Sequence, residues 1–325
     1  MVVTLDCERK NITGSFDCSK APVARIADGD SVVCNVLDGD WHLGKPPVPK
    51  TGAGSFFEGK DAQRDAGHCL IGPIYVEGAK PGDTLVVRIN ECRTADWGWS
   101  RVGFADKDHM NRLNISELPE YFLNWDIDHE TRRAVSDQGH VVTIHPFLGV
   151  VGLAPEQPGI HSTHPPRNVG GNLDCKLVTA GSTIYLPVLC EGAYFYVGDG
   201  HAVQGDGELG GTAIECTLDK VDLTFRVVHE TIRNPILRTQ SAWVTFGFDT
   251  DLTNAAYEAL TEMANLIGKL YDMTFQEALA MASLVVDEHV TQIVNGVRGV
   301  HAILPDGQEQ AVLQKKAVWI FWAWD

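Results

Sequence analysis

The sequence has no cysteine pair in C-x-x-C spacing, no apolar run near the roughly 18 residues a membrane span needs, and no G-x-S-x-G turn. It is also short of positive charge: 26 Lys and Arg stand against 43 Asp and Glu, a net charge of −17 over 325 residues. Each absence excludes a class. Without clustered Lys and Arg there is no platform for nucleic acid or for an anionic membrane surface. Without a nucleophile elbow, a Ser–His–Asp hydrolase is disfavoured. The first ten residues carry Asp6, Glu8 and Arg9, unlike an export signal, so a soluble cytoplasmic protein with its eight cysteines as free thiols is expected. Hydrophobic residues at 44% and charged residues at 21% are ordinary for a folded globular chain.

Most of the first 250 residues read as short strands bounded by Gly, Pro and Asp. The segments 31–36, 70–76, 84–90, 141–145, 183–189, 193–197, 212–218, 221–228 and 242–248 are rich in β-branched and aromatic residues. Three begin alike, at Gly29-Asp-Ser, Gly82-Asp-Thr and Gly181-Ser-Thr, each a tight turn feeding a core strand, which hints at internal duplication. The charge- and Trp-rich segment 96–137 reads as an excursion from this β body.

After Thr253 the period changes. Ala256, Leu260, Met263, Ile267 and Leu270 form the stripe of an amphipathic helix ending near Asp272. Thr274 and Glu277 have capping-box spacing and open a second helix, whose stripe continues through Val286 and Val290 to Ile293, with Asp287, Glu288 and His289 on its solvated face. A strand at 300–304 and an aromatic tail at 318–324 follow. The expectation is an α+β chain: an antiparallel, sandwich-like β body over 1–250, then a late helical pair, strand and tail over 251–325 packed on it. A tail reading Val-Trp-Ile-Phe-Trp-Ala-Trp is too apolar to stand in water, so it should pack on the body or on a second subunit, and a homo-oligomer is expected.

Polar groups concentrate in two Gly-rich stretches. The first is His164-Pro-Pro-Arg-Asn-Val-Gly-Gly-Asn-Leu-Asp-Cys-Lys176; the second is Gly198-Asp-Gly-His-Ala-Val-Gln-Gly-Asp-Gly-Glu208. The second contains a formal G-x-G-x-x-G from Gly205 to Gly210, but strand-like residues follow where a dinucleotide site needs a helix N-terminus. Asp199, His201, Gln204, Asp206 and Glu208 in one loop suit a divalent metal, with imidazole and carboxylate together favouring Zn²⁺. Calcium on acidic Gly loops, as in a non-catalytic β module, is the rival, and Asp28-Gly-Asp and Asp38-Gly-Asp read more simply as turns.

The Gly198–Glu208 loop resembles the signature of the acetamidase/formamidase family, and the likeness extends to His68–Asp83, to Arg167–Asp174 and on to about residue 305. The resemblance implies a β-rich fold, hydrolysis of a short amide to carboxylate and ammonia, and a divalent metal, often zinc. His201 and Asp174 are the candidate ligands, and His68 joins them by its place in the family's motif. Glu208 is the candidate general base, with Asp199 and Asp206 orienting imidazoles. Asn172 and Gln204 are candidates for binding the amide, with His164 beside them or in place of His68. Cys175 is disfavoured as a nucleophile because neighbouring Asp174 raises its pKa.

Overall fold

The computed structural model describes residues 1–47, 56–103 and 107–307. Two sheets and a helical layer make up these residues. The first sheet has nine strands in the order Val2–Leu5, Ser31–Val36, Leu218–Val228, Thr84–Thr94, Thr183–Pro187, Ile236–Arg238, Ala242–Asp249, Arg298–Pro305 and Asp287–Gln292. The second, of eleven strands, runs from Val141–Thr143 through Arg133–Ser136, Tyr121–Asp128, Trp97–Val102, Ile214–Glu215, Phe195–Val203 and Phe147–Leu153 to Gly170–Asn172. Leu70–Val76 branches from Phe195–Val203 and pairs in turn with Ile12–Thr13 and Ala24–Ile26. Among the described strands, the pairings are antiparallel except Val2–Leu5 beside Ser31–Val36 and Ala24–Ile26 beside Leu70–Val76. Gly29, Gly82 and Gly181 all have positive φ, and each turn feeds a strand of the nine-stranded sheet.

Strand alternation explains the layering. Leu85, Val87 and Ile89 face the core between the sheets, whereas Val86 faces the helices; Ile184 and Leu186 divide from Tyr185 in the same way. Phe195 of one sheet meets Phe225 of the other edge to face, with centroids 5.0 Å apart. Burying a side chain of that size is worth about 1.5–3 kcal/mol.

The helix Leu252–Tyr271 starts at the Asp251 cap and ends at Asp272 in the left-handed region. It packs directly on the strand Ala242–Asp249, where a Cβ at Gly247 would lie 2.0 Å from the Ala255 carbonyl oxygen. The helix Phe275–Val285 has the expected capping box between Thr274 and Glu277, worth about 1 kcal/mol.

Two expectations need correction. The second helix stops at Val285, and Asp287–Gln292 is a strand paired with Arg298–Pro305, so Asp287, Glu288 and His289 lie on a sheet edge. Val285 and Val286 are β-branched and lose rotamer freedom in a helix, and Val286 already has extended backbone. The segment 96–137 is no excursion: Trp97–Val102, Tyr121–Asp128 and Arg133–Ser136 extend the second sheet. The aromatic stretch 318–324 lies outside the described residues. No described helix is long and apolar enough to cross a membrane.

Candidate active site

The two Gly-rich stretches meet where Phe147–Leu153 and Phe195–Val203 pair. Phe195 and Val197 face the inter-sheet core, and so does Ala202, so the alternation changes parity between them. The change falls at Asp199, whose φ is +59°. It also occurs in the partner strand, where Leu148 and Val151 both face that core. As a result Asp199 and His201 turn together away from the inter-sheet core. Gly149 lies beside them, where a Cβ would sit 2.5 Å from Asp199 Oδ2 and 2.7 Å from His201 Cε1. The Gly149 carbonyl accepts the Leu173 and Asp174 amides, which brings the first Gly-rich stretch to the same point.

These elements surround a partly open cavity of about 120 Å³ lined by His68, Trp99, His164, Asn172, Asp174, Asp199, His201, Glu208, Glu215 and Asn295, with Gly39, Asp40, Gly211 and Thr212 completing its wall. Its volume is well below the roughly 300 Å³ at which pockets for drug-sized ligands begin. Asp174, Asp199 and Glu208 all have positive φ, at +46°, +59° and +50°. Such backbone costs about 1–3 kcal/mol per residue and tends to gather at functional sites.

Four carboxylates and an imidazole are buried here. His201 Nε2 lies 3.1 Å from Glu215 Oε2 and 3.4 Å from Asp199 Oδ1. Burial opposes a charge on His201, but Glu215 and Asp199 outweigh it and hold its pKa well above the usual value. Burial likewise disfavours ionisation of Asp199, yet His201 and His68 keep its pKa below the ordinary range. Burial and then the Asp199 charge push Asp174 up to about 6. Glu215 is pushed up to about 8, chiefly by burial. Glu208 lies within hydrogen-bond reach of Asp174, and burial followed by the Asp174 charge raises its pKa well above normal.

Most of the residues singled out from the sequence converge here. Asp174 Oδ2 accepts a 2.6 Å hydrogen bond from Asn295 Nδ2. His68 is held through Nδ1 by Thr163 Oγ1 at 2.8 Å, and its ring packs against His164. Ligand atoms of Asp174, Asp199 and His201 lie within 4.8 Å of one another; His68 lines the same cavity outside that tight group. Two residues are placed elsewhere. Gln204 reaches past the cavity, its Nε2 donating to the Asp174 carbonyl at 2.8 Å. Asp206 turns outward to Lys176 and His289. Cys175 is fully buried, and its thiol is pushed up to about 12, mainly by burial.

Glu215, Trp99 and Asn295 went unmarked in the sequence reading. Trp99 is anchored by a 2.6 Å hydrogen bond from Nε1 to Asp38 Oδ2, and Asp38 also receives the His42 amide and holds its ring. The Asp38-Gly-Asp turn therefore supports the cavity wall as well as reversing the chain.

The residues fit a divalent cation. His201 Nδ1, Glu208 Oε2 and Asn172 Oδ1 are buried without hydrogen-bond partners, and Asp199 Oδ1 has only its 3.4 Å contact with His201 Nε2. Leaving such atoms unpaired costs about 1–3 kcal/mol each, so a ligand set completed by an ion and a small polar substrate accounts for them.

The acetamidase/formamidase family profile matches residues 23–162 and 157–305. The chain belongs to the acetamidase/formamidase family. It is 29% identical over 195 residues to a formamidase of Methylophilus methylotrophus, covering 44% of this chain and 47% of that protein. To an acetamidase of Mycolicibacterium smegmatis it is 30% identical over 201 residues, covering 44% and 49%. The chain thus matches about half the length of these curated relatives. Among solved structures, the acetamidase of Bacillus halodurans superposes with a TM-score of 0.80 at 25% identity, over 97% of this chain and 99% of that one. The β-rich architecture with two late helices is shared with this family's structures.

Proposed function

We propose that the chain hydrolyses a short linear amide, of the size of formamide or acetamide, to carboxylate and ammonia, with a divalent ion held by His201, Asp199 and Asp174. The observation that carries this reading is a small, partly open cavity lined by buried polar atoms that lack hydrogen-bond partners. The pairing of imidazole with carboxylate favours zinc over calcium, which takes oxygen ligands. A zinc ion so held would lower the pKa of its water towards roughly 7 and polarise a carbonyl.

The chain's own residues have the remaining tasks. Glu208 accepts the proton released as water attacks the carbonyl carbon and delivers it to nitrogen as the C–N bond breaks, so that ammonia leaves rather than an amide anion. Its raised proton affinity, caused by burial and Asp174, suits the second half of that transfer. Asn172 Oδ1 accepts a hydrogen bond from the substrate NH₂, for which it has no competing partner. Glu215 holds the His201 ring in orientation through Nε2. Trp99 and His164 limit the room for the acyl group.

The test is ammonia release by the purified chain across a size series. Formamide and acetamide should turn over, and kcat/KM for benzamide should be lower by about 10²-fold or more, the scale of loss for a misplaced reacting group. A correctly folded protein that releases no ammonia from any short amide would overturn the reading.

A further inference from the structure

Asp206, read from the sequence as part of the catalytic loop, belongs to a different cluster. It faces His289 and His301, which are opposite one another in the antiparallel pair Asp287–Gln292 and Arg298–Pro305. Their rings stack nearly parallel, 10° apart with centroids at 5.2 Å. Ligand atoms of the three side chains lie within 4.8 Å of one another.

Three features distinguish this cluster from an ordinary surface ion pair. His301 is fully buried, and its Nε2 has no hydrogen-bond partner. Its other nitrogen, Nδ1, is held 2.8 Å from Thr291 Oγ1, a hydroxyl that can accept a hydrogen bond from Nδ1–H and so leave Nε2 free to present a lone pair. His289 Nδ1 lies 3.3 Å from Asp206 Oδ2, and its side chain is 41% exposed, so it can turn to shorten the contacts. Coordination at the 2.0–2.2 Å typical of zinc needs such a turn. An opposing charge is Lys176, whose Nζ holds Asp206 Oδ2 at 2.8 Å.

We propose that Asp206, His289 and His301 form a second divalent-metal site, separate from the catalytic cavity, that takes a transition ion such as zinc. Two imidazoles and one carboxylate are a donor set for Zn²⁺ and its neighbours rather than for Ca²⁺ or Mg²⁺. The ion clips the loop before Glu208 to the hairpin that carries Asn295. That loop already meets the hairpin through the Gly207 amide on the Thr291 carbonyl, at 2.9 Å. The site braces two walls of the cavity from outside, and it does not depend on the proposed catalysis.

The experiment is zinc binding to the full chain, stripped by chelation, titrated with zinc chloride and analysed for bound metal after desalting. Wild type should bind about one equivalent more than His289→Ala or Asp206→Asn, both of which should retain the wild-type circular dichroism spectrum. Each should weaken the outer ion by at least about 10²-fold, since even a lost supporting contact costs 10–100-fold. Lys176→Met should tighten it, because the competing ammonium is gone; a purely structural ion pair would give no such gain. His201→Ala should remove the other equivalent. Equal zinc content in wild type, His289→Ala and Asp206→Asn would overturn the proposal. Loss of zinc in His289→Ala with none in His201→Ala would retain this site and contradict the catalytic ion.

Discussion

Replacing Glu208 by glutamine should lower the turnover of a short amide by roughly 10²–10⁴-fold while the fold and the bound ion persist. Glutamine has nearly the shape of a neutral carboxyl group, and burial together with Asp174 favours the neutral form of Glu208 in the ion-free chain. The substitution therefore removes proton transfer without leaving a hole. The stability profile provides a second readout. A carboxyl whose folded pKa lies above its unfolded value of 4.5 contributes fully below that value, and the contribution is lost as pH rises through the folded pKa. In the ion-free state the Glu208→Gln protein should thus melt with a flatter pH dependence above pH 4.5. Kinetics with acetamide and melting curves from pH 4 to 9 check both parts, and near-wild-type turnover would reassign the proton carrier.

Gly149→Ala should cost about 10²-fold in kcat/KM although position 149 bears no chemistry. The added Cβ would stand 2.5 Å from Asp199 Oδ2 and 2.7 Å from His201 Cε1. Neither side chain can retreat, since Asp199 is 2% and His201 1% exposed. Moving the backbone instead disturbs the Gly149 carbonyl that accepts the Leu173 and Asp174 amides, and so displaces Asp174. Overpacking of this kind costs about 1–3 kcal/mol of stability, and a reacting group displaced by about 1 Å loses about 10²-fold in rate. Gly205→Ala is the control, in the Gly198–Glu208 stretch that carries Asp199 and His201: nothing lies within 4 Å of its Cβ, and it should behave as wild type. Equal kcat/KM in the two variants would show that the close approach at Gly149 does not hold the site.

The parts of this architecture legible in the sequence are those written locally. Gly29, Gly82 and Gly181 announce strands because a positive φ at the turn suits glycine. Thr274 and Glu277 announce a helix because the cap is four residues long. The strand Asp287–Gln292 was hidden because Val286, Val290 and Ile293 happen to keep helical spacing, and its pairing partner comes later in the chain. Polar density located the Gly198–Glu208 stretch, whose first half is the end of the strand Phe195–Val203 and not a loop as expected, but density cannot tell inward from outward. The positive φ at Asp199 and at Glu208 decides how the loop turns, leaving Glu208 on the cavity and Asp206 facing Lys176. Glu215 left a trace, a lone carboxylate between Ile214 and Cys216 in a strand-like run, where burial of a charge implies a partner. Asn295 left none: its contact with Asp174 spans 121 residues and exists only through tertiary register.

We propose that the His201, Asp199 and Asp174 cluster hydrolyses a short amide with the help of a bound divalent ion. This is tested most directly by ammonia release from acetamide before and after exhaustive chelation, with zinc then added back to the same sample. Turnover should be lost on chelation and return with zinc in wild type, and should not return in His201→Ala. Full activity in protein shown by elemental analysis to hold no metal would contradict it.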